Sequence, residues 1–209
     1  MNIIMTGATS FVGAATVREL LRRGHTVTAI ARPASSKLGM ILDGNEEALL
    51  SGRLLVTEND LSEPEQLLEK VTKPQDVFCH FGWGGSGSAS RTDRALQEKN
   101  LEISLETIRT AKALGCKKFL FSGSQAEYGM HRDLITEETA CEPKSLYGEA
   151  KLAMREKGET RYNTRGENAE GLINLMPSIE KLKAVTGWKP EVDFKTGITR
   201  MIALRKRTV

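Results

Sequence analysis

No run in this chain of 209 residues approaches the roughly 20 apolar residues that a bilayer span requires. Cysteine is scarce as well: Cys79, Cys116 and Cys141 are odd in number, widely spaced and unlike any zinc-ligand pattern. That argues against both a disulfide framework and a structural metal. An excess of one charge is also missing, since 30 Lys and Arg stand against 27 Asp and Glu. The net charge of +3 is too small to imply a nucleic-acid or membrane-surface partner. Met1-Asn2-Ile3-Ile4-Met5 leads straight into Thr6-Gly7, with neither the basic region nor the long apolar stretch of a secretory signal. Internal repeats and low-complexity tracts are absent too. The expectation is a soluble, cytoplasmic, metal-free protein, 39% hydrophobic and long enough for one good-sized core or a domain with an appendage.

The order of periodic segments then points to a fold class. Asn2-Ile3-Ile4-Met5 reads as a short buried strand followed at once by a glycine-bearing turn. Residues 11–23 read as a helix, with Val17, Leu20 and Leu21 at helical spacing and Gly24 as its stop signal. Strands are expected at 26–30, 53–57, 76–81 and 118–122, the first of these rich in β-branched residues. Helices are expected at 64–71 and at 94–114, the latter closed by Gly115. Strands alternating with helices predict an α/β fold, a Rossmann-like doubly wound parallel sheet with helices on both faces. Gly82-Trp83-Gly84-Gly85-Ser86-Gly87-Ser88 is too rich in Gly and Ser for regular structure. It is either a flexible linker or a mobile loop at the rim of a site, because such sheets bind ligands beyond their strand ends. Arg205-Lys206-Arg207 reads as a solvated helix end, where cations offset the dipole.

Thr6-Gly7-Ala8-Thr9-Ser10-Phe11-Val12-Gly13 joins the first strand to the first helix. In such a turn Gly7 lets the backbone reverse sharply and Gly13 lets helix and strand pack closely. The loop N–H groups and the helix N-terminus can then hold a pyrophosphate. The alternative is an ordinary turn between strand and helix. The segment resembles the TGxxGxxG loop of the extended short-chain dehydrogenase/reductases, the NAD(P)-dependent sugar epimerase/dehydratase family. The resemblance implies a dinucleotide held by Thr6, Gly7, Thr9, Ser10, Phe11, Val12 and Gly13. Ser10 stands where that pattern has its middle glycine, and its side chain either crowds a phosphate or hydrogen-bonds to it. After the second strand, an acid would bind both ribose hydroxyls and repel a 2′-phosphate. This chain instead has Ala31 then Arg32, with Lys37 nearby. Two cations suit a phosphorylated ribose, which a guanidinium grips with two parallel hydrogen bonds. NADP is therefore expected over NAD, unless Arg32 is only a surface charge at a strand end. Asp60-Leu61 resembles the family's adenine-contacting pair, and Phe81-Gly82 leaves the fourth strand beside the expected cofactor.

Tyr147-Gly148-Glu149-Ala150-Lys151 places a phenol and an ammonium one turn apart on a single helix face. A free tyrosine titrates near about pH 10, and neighbouring positive charge favours the phenolate, making tyrosine a usable acid/base. A surface helix pair would show the same spacing. Phe121-Ser122-Gly123-Ser124-Gln125-Ala126-Glu127-Tyr128-Gly129 resembles the family's SS(S/T)xxVYG segment, whose third residue is the catalytic hydroxyl. The resemblance implies that Ser124 bonds the reacting sugar oxygen while Tyr147 shuttles its proton. Lys151 would hold the nicotinamide ribose and tune Tyr147, and Asn100 would support the group from the long helix. The family's dehydratase branch has an Asp-Glu pair directly after the hydroxyl, where this chain has Gln125 and Ala126. Glu127, where the family usually has Val, is one step further on, and alternation along an extended segment would aim it elsewhere. Dehydration is therefore disfavoured against epimerisation or one-way carbonyl reduction. His80 reads as structural, and Trp83 either lines a pocket or caps the sheet.

The resemblance covers residues 1 to about 155. It resumes at Pro177-Ser178-Ile179-Glu180-Lys181-Leu182, Thr186-Gly187-Trp188-Lys189-Pro190 and Phe194-Lys195-Thr196-Gly197-Ile198. The family spends far more chain in between, on a sixth strand and most of the sugar-nucleotide pocket. Here a cofactor-binding and catalytic domain of residues 1–158 is expected before a small reduced C-terminal subdomain at 159–209, with Leu172-Ile173-Asn174-Leu175 as a short strand. The shortening leaves open an omitted internal stretch, a partner subunit that completes the site, or a reduced relative. The resemblance implies an NAD(P)-dependent epimerase or reductase acting on a nucleotide sugar. A homodimer through the helix from Arg94 and the helix carrying Tyr147 goes with it. The alternatives are a non-catalytic dinucleotide-binding protein that lost its substrate domain, and a reductase for a small carbonyl compound.

Overall fold

The computed structural model describes residues 1–85, 87, 89–156 and 176–206. Five strands form one sheet: β1 (Asn2–Thr6), β2 (Thr26–Ala31), β3 (Leu54–Glu58), β4 (Val77–His80) and β5 (Lys118–Phe121), in the order β3-β2-β1-β4-β5. Every neighbouring pair is parallel, with Ile4 facing Thr28 on one side and Phe78 on the other. Parallel pairing requires crossover connections. These carry α1 (Phe11–Arg22), α2 (Gly39–Leu42), α3 (Glu46–Leu50), α4 (Leu67–Lys70) and α5 (Arg94–Ala113), and α6 (Leu146–Arg155) follows β5. Because side chains alternate along a strand, Ile3 and Met5 pack with Val17, Leu21 and Ile41 in one core. Ile4 points the other way and packs with Leu67, Phe78 and Ala111. Burial on both faces is why β1 reads as an unbroken apolar run.

The five strands expected before residue 123 and the two long helices lie within one residue of the observed ends. The helix expected over 64–71 is instead a 3-10 turn, Pro64–Gln66, running into the single turn of α4. Tighter turns of this kind commonly open helices, and Val71 has already returned to extended backbone at φ −105 and ψ 95. The short helices α2 and α3 carried no readable period, since each buries a single residue, Ile41 and Ala48.

The chain divides into two compact units, Met1–Met130 with Ala140–Ile173, and His131–Thr139 with Asn174–Val209. The segment 131–139 joins the smaller unit because Ile135 forms a parallel bridge with Pro177. Ile135 N donates to Met176 O (2.9 Å) and Ser178 N to Ile135 O (2.7 Å). Within that unit α7 (Glu180–Thr186) stops at Gly187, whose φ of 67 is left-handed. α8 (Phe194–Lys206) follows, with the Asp193 carboxylate accepting the Thr196 N–H at 3.0 Å. The strand expected at 172–175 and Arg207 lie outside the described residues. Among the described residues no helix is long and apolar enough to cross a membrane, and no group of three His, Cys, Asp or Glu is placed to hold a metal ion.

Candidate active site

The strand order reverses at β1, with β2 on one side and β4 on the other, and open parallel sheets bind ligands at such a switch point. Gly7 leaves buried Thr6 with φ +68, and a Cβ on it would lie 2.6 Å from the Phe81 carbonyl carbon and 2.7 Å from Gly82 N. The turn after β1 is thus pressed against the end of β4, which only glycine permits. Ser10 is the N-cap of α1, its Oγ accepting the Gly13 N–H at 3.0 Å. That bond uses a hydroxyl lone pair and leaves the hydroxyl hydrogen for an anion. The first turn of α1 carries no acid, and its Phe11 and Val12 are 75% and 61% exposed. A helix N-terminus open in this way fits a phosphate group.

Beyond β2, Arg32 and Lys37 are exposed. Ser35 N donates to Arg32 O at 3.1 Å, closing a turn in which Ala34 takes the left-handed φ of 53. The Asp60 carboxyl is held below its usual range by the Ser62 hydroxyl (2.6 Å) and N–H (2.8 Å), and then by the charge of Arg32. Arg32 therefore lies within electrostatic reach of Asp60. Leu61 packs onto Gly82, where a Cβ would come 2.9 Å from Leu61 Cδ1.

A line of hydrogen bonds connects this end of the cleft to α5. Gly82 N donates to Thr6 Oγ1 (3.3 Å), Thr6 Oγ1 meets His80 Nδ1 (2.9 Å), and His80 Nε2 meets Ser104 Oγ (3.1 Å). Ser104 donates its one hydrogen to Asn100 O (2.8 Å). The bonding pattern therefore assigns the proton of neutral His80 to Nε2, with Nδ1 accepting from Thr6. Burial, reinforced by the charge of Lys151, pushes His80 down to about 3. Both ring nitrogens are occupied inside the core, which makes this histidine a structural one. Asn100 turns its amide to the glycine-rich loop, donating to Gly84 O (2.8 Å) and accepting from Gly84 N (2.9 Å). Gln97 donates to Ser90 O (2.8 Å) and accepts from Trp83 Nε1 (3.0 Å). The described part of the loop is thus fastened to α5.

Ser124 is the N-cap of a 3-10 turn, Gln125–Glu127, and its Oγ accepts the Ala126 N–H at 3.2 Å. The chain bends here and does not run on extended, so Glu127 does not alternate away: its Oε1 accepts the Ser124 N–H at 2.6 Å. Glu127 is only 2% exposed and its Oε2 lies 3.7 Å from Arg155. Capping and burial, not alternation, keep this acid from a substrate. Burial pushes its carboxyl up, against the pull of the Ser124 N–H, Arg155 and Lys151.

α6 begins at Ser145, whose Oγ accepts the Gly148 N–H at 3.1 Å. Tyr147 and Lys151 lie on its buried face. Lys151 Nζ donates to Ser122 O (3.0 Å) and sits 3.8 Å from the Trp83 ring centre, 4.3 Å from Phe121 and 5.8 Å from Tyr147. Burial brings Lys151 down to about 7, and Glu127 opposes that shift. The Arg91 guanidinium lies 4.9 Å over the Tyr147 ring, and Trp83 meets that ring edge-on at 6.1 Å. Gly148 permits the approach of α6, since a Cβ there would overlap Ala126 O and come 3.1 Å from Pro143 Cβ. Gly148, Gln97, Arg91 and the cap made by Glu127 were not singled out from sequence. Only the last had a local signal, the Ser-x-x-Glu spacing of a capping box.

The family model of the NAD dependent epimerase/dehydratase family matches residues 3–169. D-erythronate dehydrogenase from Cupriavidus necator is 30% identical over 206 residues, 96% of this chain and 61% of that protein. dTDP-6-deoxy-L-talose 4-dehydrogenase (NAD(+)) from Aggregatibacter actinomycetemcomitans is 28% identical over 157 residues, 75% of this chain and 53% of that one. The chain thus spans less than two thirds of the length of either relative. A solved UDP-glucose 4-epimerase matches with a TM-score of 0.63 at 25% identity, over 75% of this chain and 46% of that one. Since the family match spans residues 3–169, from β1 past the helix that carries Tyr147 and Lys151, the chain belongs to the NAD dependent epimerase/dehydratase family.

Proposed function

We propose that this chain is an oxidoreductase-type epimerase or reductase that prefers NADP(H) to NAD(H) and acts on a nucleotide sugar. The observation that carries the reading is the seating of α6, whose Gly148 lies against Ala126 in the turn capped by Ser124 and whose Lys151 bonds Ser122 O, with Tyr147 buried on the same helix. The dinucleotide would be held by Thr6, Gly7, Thr9, Ser10, Phe11, Val12 and Gly13. Arg32 and Lys37 would take the 2′-phosphate, Asp60 and Leu61 the adenine, Phe81 and Gly82 the wall of the cleft, and Lys151 the ribose. Bound there, a nicotinamide supplies a hydride donor or acceptor. Ser124 keeps its hydroxyl hydrogen for the reacting oxygen, because the Ala126 N–H occupies a lone pair. Tyr147 exchanges a proton with that oxygen, with the Lys151 ammonium 5.8 Å from its ring centre. Trp83 and Phe121 shield the ammonium from water.

The dTDP-sugar and UDP-sugar named for the relatives support a nucleotide sugar as substrate. A free sugar acid is the second reading, favoured by the Arg91 guanidinium over Tyr147 and by the D-erythronate named for another relative. These relatives are named as enzymes, so a purely non-catalytic role is not favoured. A homodimer through α5 and α6 belongs to the same proposal. The test is a fluorescence titration with NADPH and with NADH, followed by turnover of nucleotide sugars and sugar acids by the wild type and Tyr147→Phe. Tighter binding of NADPH is expected, together with a loss of turnover of at least about 100-fold in the variant at near-unchanged cofactor affinity. A variant that keeps most of its activity overturns the assignment of Tyr147.

A further inference from the structure

We propose that Glu127 is a positioning residue of this site, its buried carboxylate fixing the Ser124 backbone and supplying the negative charge that acts on buried Lys151. What Ser124 and Lys151 then do rests on the function proposed above; the proposal itself rests on the arrangement around the acid. The Ser124 N–H is bonded at 2.6 Å, and Ser124 Oγ caps the same turn from the other side, so the two ends of the turn hold each other. Gly123 leaves the space: a Cβ there would lie 2.9 Å from Glu127 Oε1. At 2% exposure the carboxylate has little contact with water, so its stability depends on its partners.

Arg155 and Lys151 act on Glu127 from α6, and its own charge acts on Cys141, in the segment before α6. Tyr128, the next residue, faces Arg155. Around Lys151 stand Glu127, neutral His80 and Tyr147, with the rings of Trp83 and Phe121. Arg91 lies on the Tyr147 ring. Lys151 is itself 2% exposed, so burial drives both it and Glu127 toward neutrality and each charge supports the other. Burial brings Lys151 down to about 7, and the charge of Glu127 works against that shift.

The test compares Glu127→Gln and Glu127→Val with the wild type. Gln keeps the size and an oxygen for the Ser124 N–H but drops the charge; Val removes both. The Cε chemical shift of 13C-labelled Lys151, followed against pH in the free protein, reads its protonation without cofactor or substrate. The midpoint is expected to fall by about 1 pH unit in Glu127→Gln. Since binding that needs the ammonium is lost as pH rises through that midpoint, NADPH affinity at pH 7.5 should weaken about fivefold to tenfold. Val should show the same displacement together with a lower Tm, and it carries the test if Gln does not fold. A purely structural role would lower Tm and leave the midpoint in place, and that result overturns the proposal. Failure of the proposed enzymatic function would appear as absent turnover or cofactor binding in the wild type, with the Lys151 titration still readable.

Discussion

Replacing Gly148 with Ala sets two effects of similar size against each other. Inside a helix Ala is favoured over Gly by about 1 kcal/mol, so propensity alone predicts a slightly more stable protein. Packing predicts the reverse. A methyl group at this position overlaps the Ala126 carbonyl oxygen and lies 3.0 Å from the carbonyl carbon and 3.1 Å from Pro143 Cβ. The Ala126 atoms are backbone, in a turn held at both ends by Ser124 and Glu127, so they do not swing aside as a flexible side chain would. Overpacking costs about 1–3 kcal/mol, and rigid backbone places this contact at the upper end. The net expectation is a loss of about 2 kcal/mol, which for a chain of this size lowers Tm by about 4–8 °C. Relief requires α6 to move off the Ser124 turn, taking Tyr147 and Lys151 with it. A displacement on the order of 1 Å at reacting groups costs about 100-fold in rate. Thermal melting followed by circular dichroism reads the first effect, and turnover of a substrate found in the screen reads the second. Because Lys151, assigned the ribose, moves with α6, NADPH affinity should weaken in the same variant. An unchanged or raised Tm in Gly148→Ala would refute the close approach of α6 to Ala126.

The state of His80 ties stability to pH. Its folded value of about 3 lies below the ordinary 6.5, so the unfolded chain takes up this proton first as pH falls. Stability is therefore full above 6.5 and declines as pH drops toward 3, by about 2 kcal/mol at pH 5. Urea unfolding at pH 7 and pH 5 should show that loss in the wild type and a smaller one in His80→Gln; equal losses would acquit the histidine. Ser10→Ala should cost about 1 kcal/mol through the lost α1 cap and Ser10→Gly only a few tenths. Equal melting temperatures for the two variants would mean that the bond to Gly13 contributes nothing.

The β1 run, the glycine turn, α5 and the Tyr147–Lys151 spacing were legible because each is written in neighbouring residues, as a period, a cap or a turn. The short helices α2 and α3 were not, since one buried residue makes no period. Glu127 was read as aimed elsewhere because alternation holds only on extended chain, and the 3-10 turn at Gln125 replaces that rule with a cap. That the amide of Asn100 bonds Gly84, 16 residues away, had no signal in the sequence. The Thr6–His80–Ser104 line spans separations of 74 and 24 residues, and no local pattern announces such a pairing. The local features, a glycine turn after β1 and a Tyr/Lys pair on one helix, follow from the order of residues because helix and turn geometry are local. Which groups are buried together, and hence which charges survive and which glycine must stay a glycine, is decided only when the sheet and α6 close, since burial and contact belong to distant segments.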